Sequence, residues 1–441
     1  MQSPGRSRFR ADIHPKCNSE MGQLWVFGDP DPFAKASAGP RVSPITAPGC
    51  WEGYLIGIHL ERMMNTNYLL SLASLTLALA LAACDNSGSS VAGPNGDTGN
   101  KVAPTAGMGA RMVPVSITDP MINNNKAFTF LVPFGWNYQA KVEWHQEYEN
   151  LASANVVISN PNNGDLGQIY PFIPFVWNPN NFKAVPGTIY IGGYVMAPVQ
   201  DPSVFVQQIV FPAYRQGMGN VQVIGNTPLA DVAQSIWKNT YAGNPNYSVT
   251  ASALTVRYDF QGRSYDETFY CALNYATDPA LPGAVLWRPE FIFSTRAFAG
   301  ELQNGQGMIA ASLTSVNVDM KWFAAYLQVH KLWQDGQMAA IKSEGELSRY
   351  LSGVNASVSS DIVDGYNQRQ ASQDKVYEKF SESIRGVETY SNPSTSDLVQ
   401  LPAGYSNVWV NTSGEYFLSN EAGVDPNVGS VLSYTQLTPE D

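Results

Sequence analysis

The sequence predicts an α+β fold: an antiparallel sheet with helices packed on it, followed by a helical segment and a C-terminal β-hairpin. Three observations predict it. Between Met112 and Gly300, short runs of β-branched and aromatic residues alternate with polar ones and end at clusters of Pro, Gly and Asn. Two stretches opened by Asp-Pro and Thr-Pro interrupt these runs with apolar steps of three and four. Beyond Val316 the helical spacing takes over, and alternation returns around Trp409. Sheet pieces joined by short turns favour antiparallel pairing over a doubly wound parallel sheet.

In chain order, Phe128–Val132 reads as a strand ending at Pro133-Phe134-Gly135-Trp136, Lys141–Tyr148 as a second, and Ala154–Ser159 as a third, closed by Asn160-Pro161-Asn162-Asn163-Gly164. Ile169–Trp177 reads as a fourth, broken by Pro171 and Pro174 and therefore placed at an edge. Asp201-Pro202 and Thr227-Pro228 each put a side-chain acceptor at an N-cap and a proline in the first turn. Val204, Phe205, Ile209 and Val210 form the apolar stripe of the first helix; Leu229, Val232, Ile236, Trp237 and Tyr241 form that of the second. A two-residue turn at Gln261-Gly262 sets Tyr258 opposite Tyr265 and Arg257 opposite Asp266, whereas a turn at Gly262-Arg263 would oppose Asp259 to Asp266. Val285–Phe293 and Met308–Val316 read as the last strands of this part. Met320, Phe323, Leu327, His330 and Leu332 mark one helix, Met338 to Ile362 another, and Val363 to Ile384 a third piece. Val408-Trp409-Val410 and Tyr416-Phe417-Leu418 around Thr412-Ser413-Gly414 read as the terminal hairpin.

Upstream of this region the chain is of another kind. Residues 1–62 show no sustained period and are expected not to belong to the native protein. Residues 63–83 hold the apolar run Leu69–Leu81, shorter than the roughly 20 residues that span a bilayer, with small residues at its end. The tetrad Leu81-Ala82-Ala83-Cys84 resembles the lipobox of bacterial lipoproteins. That resemblance implies that 63–83 is a removed signal peptide, that Cys84 carries the lipid, and that the protein sits on the periplasm-facing side of the cell envelope. Asp85 after the cysteine implies the inner membrane, with the outer membrane as the alternative. Residues 84–110, rich in Gly, Ser, Asn and Pro, are expected to form a flexible tether. The folded part then divides into an α+β sandwich domain, 111–316, and a helical segment with the C-terminal hairpin, 317–441.

Composition narrows the function. A net charge of −11 with no Lys/Arg run removes the electrostatic footprint of nucleic-acid binding. If the chain begins at Cys84, only Cys84, Cys271, His145 and His330 remain of the four cysteines and four histidines. No internal disulfide can then form once Cys84 is lipidated, and a zinc site built of His and Cys is nearly excluded by counting. No cofactor or metal is expected, and the usual catalytic motifs are absent from the sequence. Cys271 follows Thr268-Phe269-Tyr270 in an apolar pattern and reads as a buried thiol; His330, among Tyr326, Val329 and Trp333, reads as a structural histidine.

Two groups of residues remain as candidates. In Glu143-Trp144-His145-Gln146-Glu147, a strand would bring Glu143, His145 and Glu147 to one face, where two carboxylates flanking an imidazole suit a metal or a tuned base. The same alternation reads more simply as a solvated face, with Val142, Trp144 and Tyr148 toward the core. Trp177 and Trp409 are the aromatics placed to face a ligand. The order of elements around the Pro133–Trp136 corner looks like the sandwich of PsbP-like and Mog1-like domains, which implies a binding module. Ile384–Tyr390, Leu401–Tyr405 and Gly414–Tyr416 look like the tail of uncharacterised secreted bacterial proteins. The expected function is a membrane-anchored, non-enzymatic binding or scaffolding module with a protein or cell-envelope partner. The alternative is a hydrolase or metal-dependent enzyme using Glu143 and Glu147 with His145.

Overall fold

The computed structural model describes residues 109–336, 386–393 and 398–440. The strands are β1 (Ala110–Asp119), β2 (Asn125–Pro133), β3 (Asn137–Trp144), β4 (Ala152–Ser159), β5 (Leu166–Ile169), β6 (Phe175–Trp177), β7 (Ile189–Tyr190) and β8 (Gly193–Val195). After helix α1, residues 202–214, come β9 (Gly219–Pro228), helix α2 (Ala230–Thr240), β10 (Tyr247–Phe260), β11 (Arg263–Thr277) and β12 (Val285–Phe298). Helix α3 (Leu302–Thr314), β13 (Asn317–Val318) and helix α4 (Met320–Gln334) follow, then β14 (Val387–Ser391), β15 (Leu398–Pro402), β16 (Asn407–Asn411), β17 (Tyr416–Ser419), β18 (Tyr434–Gln436) and β19 (Thr438–Pro439).

The described part is dominated by strands. Ten form a large sheet in the order β3-β4-β5-β12-β11-β10-β9, with β6, β7 and β8 attached beside β12. Six form a second sheet, β13-β2-β1-β17-β16-β18, and three a small one, β15-β14-β19. All pairings are antiparallel except that of β6 with β8. The main core lies between the first two sheets: Phe128, Phe130, Val156, Ile158, Phe291 and Phe293 meet Val232 and Ile236 of α2, Ile309 and Leu313 of α3, and Phe323 of α4. Strands on either side of residue 316 share the second sheet, since β1 pairs with both β2 and β17.

The central hairpin shows how directly residue type sets register. Gln261 and Gly262 both take positive φ, the geometry of a primed two-residue turn whose twist matches the strands. Tyr258 then opposes Tyr265, and Arg257 opposes Asp266. Helix α1 starts as expected, with the Asp201 carboxylate accepting the Ser203 amide at 2.8 Å and Pro202 in the first turn. The terminal hairpin β16–β17 pairs Trp409 with Phe417.

Several expectations are corrected. Ile169–Trp177 is not one edge strand: Pro171 and Pro174 split it into β5, inside the sheet between β4 and β12, and β6, which pairs with β12 and β8. Thr227-Pro228 caps no helix; it ends β9, and α2 begins two residues later from Leu229 without a side-chain cap. Met308–Val316 is helix α3 and its end rather than a strand. Its small residues allow contacts a strand-former could not make, for a Cβ on Gly307 would sit 2.3 Å from the Gly386 carbonyl oxygen. The second strand ends at Trp144, and residues 145–150 turn away. Residues 1–62, the expected signal peptide at 63–83, Cys84 with the expected tether as far as residue 108, and the segments from Met338 to Ile384 lie outside the described residues.

Candidate functional site

Two buried clusters of charged and polar residues lie on opposite faces of β11 and β12, apart from the partly exposed Arg257–Asp266 pair. On the first face, Glu267 of β11 is held by Arg215, which follows α1. Arg215 Nε donates to Oε2 at 2.8 Å and an Nη to Oε1 at 2.5 Å, with side chains 3% and 0% exposed. Tyr258 and Ser294 hydroxyls donate to the same carboxylate at 2.7 and 2.6 Å, and Gln168 Oε1 accepts from both Arg215 Nη atoms at 3.1 Å. Burial pushes the Glu267 carboxyl up, but the Arg215 charge and hydrogen bonds outweigh it and hold the group below its ordinary range. Burial opposes the Arg215 charge as well, and Glu267 and Tyr170 more than reverse that. A carboxylate this fully engaged is a structural ion pair rather than a base facing substrate.

The second cluster depends on a bulge. Leu273 opposes Pro289 and Ala272 opposes Phe291, so Glu290 is an extra residue in β12. The bulge turns Glu290 toward the face covered by α2. There its Oε1 accepts from the Tyr241 hydroxyl and from Asn274 Nδ2, and Arg288 Nε lies 4.0 Å away. The Tyr247 ring stacks on Tyr241 at 4.5 Å. Burial, then the Glu290 charge, push the Tyr241 phenol well above its ordinary range, so it stays a proton donor. Glu290 is 0% exposed, and its Oε2 has no hydrogen-bond partner among the described residues. Arg288 and Tyr247 are partly exposed and form the outer side of this cluster.

The residues singled out from sequence are only partly brought together. Glu143 is buried, with Oε1 accepting from Asn155 Nδ2 at 2.9 Å and Lys141 Nζ at 2.8 Å. It faces Ser153 across the β3–β4 ladder, and Ser153 Oγ lies 3.4 Å from His145 Nε2. Glu147 is exposed in the turn beyond β3, so the three do not share a strand face, and Glu143 is not on a solvated one. Trp177 is partly exposed at the end of β6, whereas Trp409 is buried beside Phe417. Cys271 is free and fully buried, which pushes its thiol up. His330 is buried, and desolvation lowers its pKa to about 4. Among the described residues no three His, Cys, Asp or Glu side chains converge as a metal-binding group would.

Sequence reasoning missed Arg215, Glu267 and Glu290. One signal pointed to the last: Pro289 inside a strand-forming run is a residue tolerated at bulges and edges, and bulges re-aim their neighbours. Comparisons with protein-family models, curated proteins and solved structures found no match.

Proposed function

We propose that this chain is a lipid-anchored cell-envelope protein whose folded part serves as a non-enzymatic binding or scaffolding module. The observation that carries the proposal is the tetrad Leu81-Ala82-Ala83-Cys84 after an apolar run, followed by a Gly/Ser/Asn-rich stretch. One acyl chain holds a protein to a membrane only marginally, while two or more hold it stably, so a diacylated Cys84 would keep the body at the bilayer. The scaffold reading draws support from the Arg215–Glu267 pair, whose charges face inward and satisfy each other. Growth with a clickable palmitate analogue tests the anchor. Label on the chain and its loss in Cys84→Ala, with release from membranes, are expected; label that survives Cys84→Ala overturns it. Cross-linking in intact cells followed by membrane pull-down tests the module.

A second reading, a carboxylate-based hydrolase, is favoured by Glu290 and Glu143 rather than by the exposed Glu147, because each has a buried carboxylate oxygen with no hydrogen-bond partner among the described residues. Hydrolytic activity lost in Glu290→Gln with folding intact would establish it over the scaffold.

A further inference from the structure

The 35 residues from Leu166 to Gln200 contain one charged side chain, Lys183, in a chain of net charge −11. Within them the segment from β6 to β8 builds a lobe with its own small core of Val176, Ala184 and Val195, against which Trp177, Tyr190 and Leu286 pack. Its turns are closed by local bonds: Asn178 Oδ1 accepts the Asn180 amide at 3.1 Å, Asn181 Oδ1 the Lys183 amide at 3.0 Å, and Asn181 Nδ2 donates to the Tyr190 hydroxyl at 2.8 Å. Val195 and Thr188 add backbone bonds across the base. The order so produced points apolar groups outward: Phe182 is 87% exposed, Val185 51% and Ile189 45%. The Lys183 ammonium lies 6.0 Å from the Phe182 ring centre. The adjoining loop, reached through Asn180 Nδ2 to the Pro282 carbonyl, adds one acid, Asp278, whose carboxylate accepts the Ala280 amide of its own turn.

A rigid apolar tip, a single cation beside it and amphipathic Trp and Tyr at its base are the ingredients of an interfacial membrane contact, where rings enter the headgroup layer and the ammonium meets phosphate. An anionic surface would repel the acidic remainder of the protein but not this stretch. We propose that this lobe rests on the bilayer that holds Cys84, with Phe182, Val185 and Ile189 in the headgroup layer. The occupant follows from the anchor reading, on which this inference rests: the 25 residues between Cys84 and β1 can reach no further than about 80–90 Å, so a lipid on Cys84 would keep the body near the bilayer.

The test uses the protein purified with Cys84→Ala, so that any binding comes from the folded part. Sedimentation with vesicles of phosphatidylethanolamine and phosphatidylglycerol should pellet it. Phe182→Ser with Val185→Ser should weaken binding by at least about tenfold, as loss of a buried aromatic and a valine requires. Lys183→Glu should weaken binding to these vesicles but not to phosphatidylcholine alone. Both variants change exposed side chains, and unchanged near-ultraviolet circular dichroism will show that they fold. Failure of the Cys84→Ala protein to bind either vesicle, or equal binding by the serine variant, overturns the proposal. Either result leaves the palmitate labelling of Cys84 untouched, so the two readings fail separately.

Discussion

The Asp119 carboxylate at the end of β1 accepts the indole N–H of Trp322 in α4 at 2.7 Å, and that of Trp144 in β3 at 3.1 Å. One acid thus fastens the second sheet, the large sheet and a helix, and its Oδ1 also accepts the Met121 amide at the next turn. Asp119→Ala should destabilise the fold by about 2–5 kcal/mol, because it strands two indole donors, one of them fully buried, while Asp119→Asn, keeping an acceptor, should cost less. Urea denaturation followed by tryptophan fluorescence reads both; equal losses would show that the indoles require the charged carboxylate and that a neutral acceptor of the same size does not replace it.

The Arg215–Glu267 pair predicts non-additive energetics. Glu267→Leu alone leaves a guanidinium buried without its counter-charge and should cost about 3–5 kcal/mol, whereas Arg215→Met with Glu267→Leu should cost far less than the sum of the single changes. Equilibrium unfolding of the full cycle decides. Additive losses would mean that the two groups are stabilised by their other neighbours rather than by each other.

His330 predicts a slope of stability with pH. Its folded pKa, about 4, lies below the unfolded value near 6.5, so between those values the unfolded chain binds the extra proton. Stability should fall as pH drops from about 6.5 to about 4, and His330→Leu should flatten that window. Glu267 acts lower: its depressed carboxyl contributes stability above the unfolded value near 4.3 and loses it only as pH falls toward its folded pKa. Denaturant midpoints measured across pH 3–8 separate the two; a slope unchanged in His330→Leu would remove His330 as its source.

Gly307 predicts a packing limit. A methyl group there would meet the Gly386 carbonyl oxygen, a backbone atom that cannot swing aside, so Gly307→Ala should cost about 1–3 kcal/mol. Gly225→Ala in β9, whose added carbon would meet the Thr255 side chain at an ordinary 3.5 Å, should change stability by less than about 0.5 kcal/mol. Thermal melts of the two variants side by side provide the comparison.

What could be read from the sequence was whatever depends on neighbours in the chain. The Gln261-Gly262 turn, the Asp201 cap, the stripe of α2 and the hairpin around Gly414 are local, and each stands where its residues put it. Errors arose where distant contacts decide. Met308–Val316 contains β-branched and apolar residues that suit a strand, but Gly305, Gly307 and two alanines let it pack as a helix against the sheet. β1 was not foreseen, because its alternation is interrupted by Pro114 and its strand is completed by partners from both ends of the described chain. The candidate clusters were harder still. Arg215 and Glu267 are far apart in sequence, and Glu143, His145 and Glu147 were grouped on the premise that a strand continues past Trp144, where it stops.

The position of β1 between β2 and β17 carries a consequence for how the protein is made. Its first partner is synthesised at once, but Ala110 and Met112 must wait for Leu418 and Tyr416. Until then one edge of β1 is open, and loop closure over most of the chain stands between the early hairpin and the finished sheet, a topology that folds slowly. A product cut off before Tyr416 would keep that edge bare, so ribosomal stalling or proteolysis near the C-terminus would yield fragments prone to strand addition.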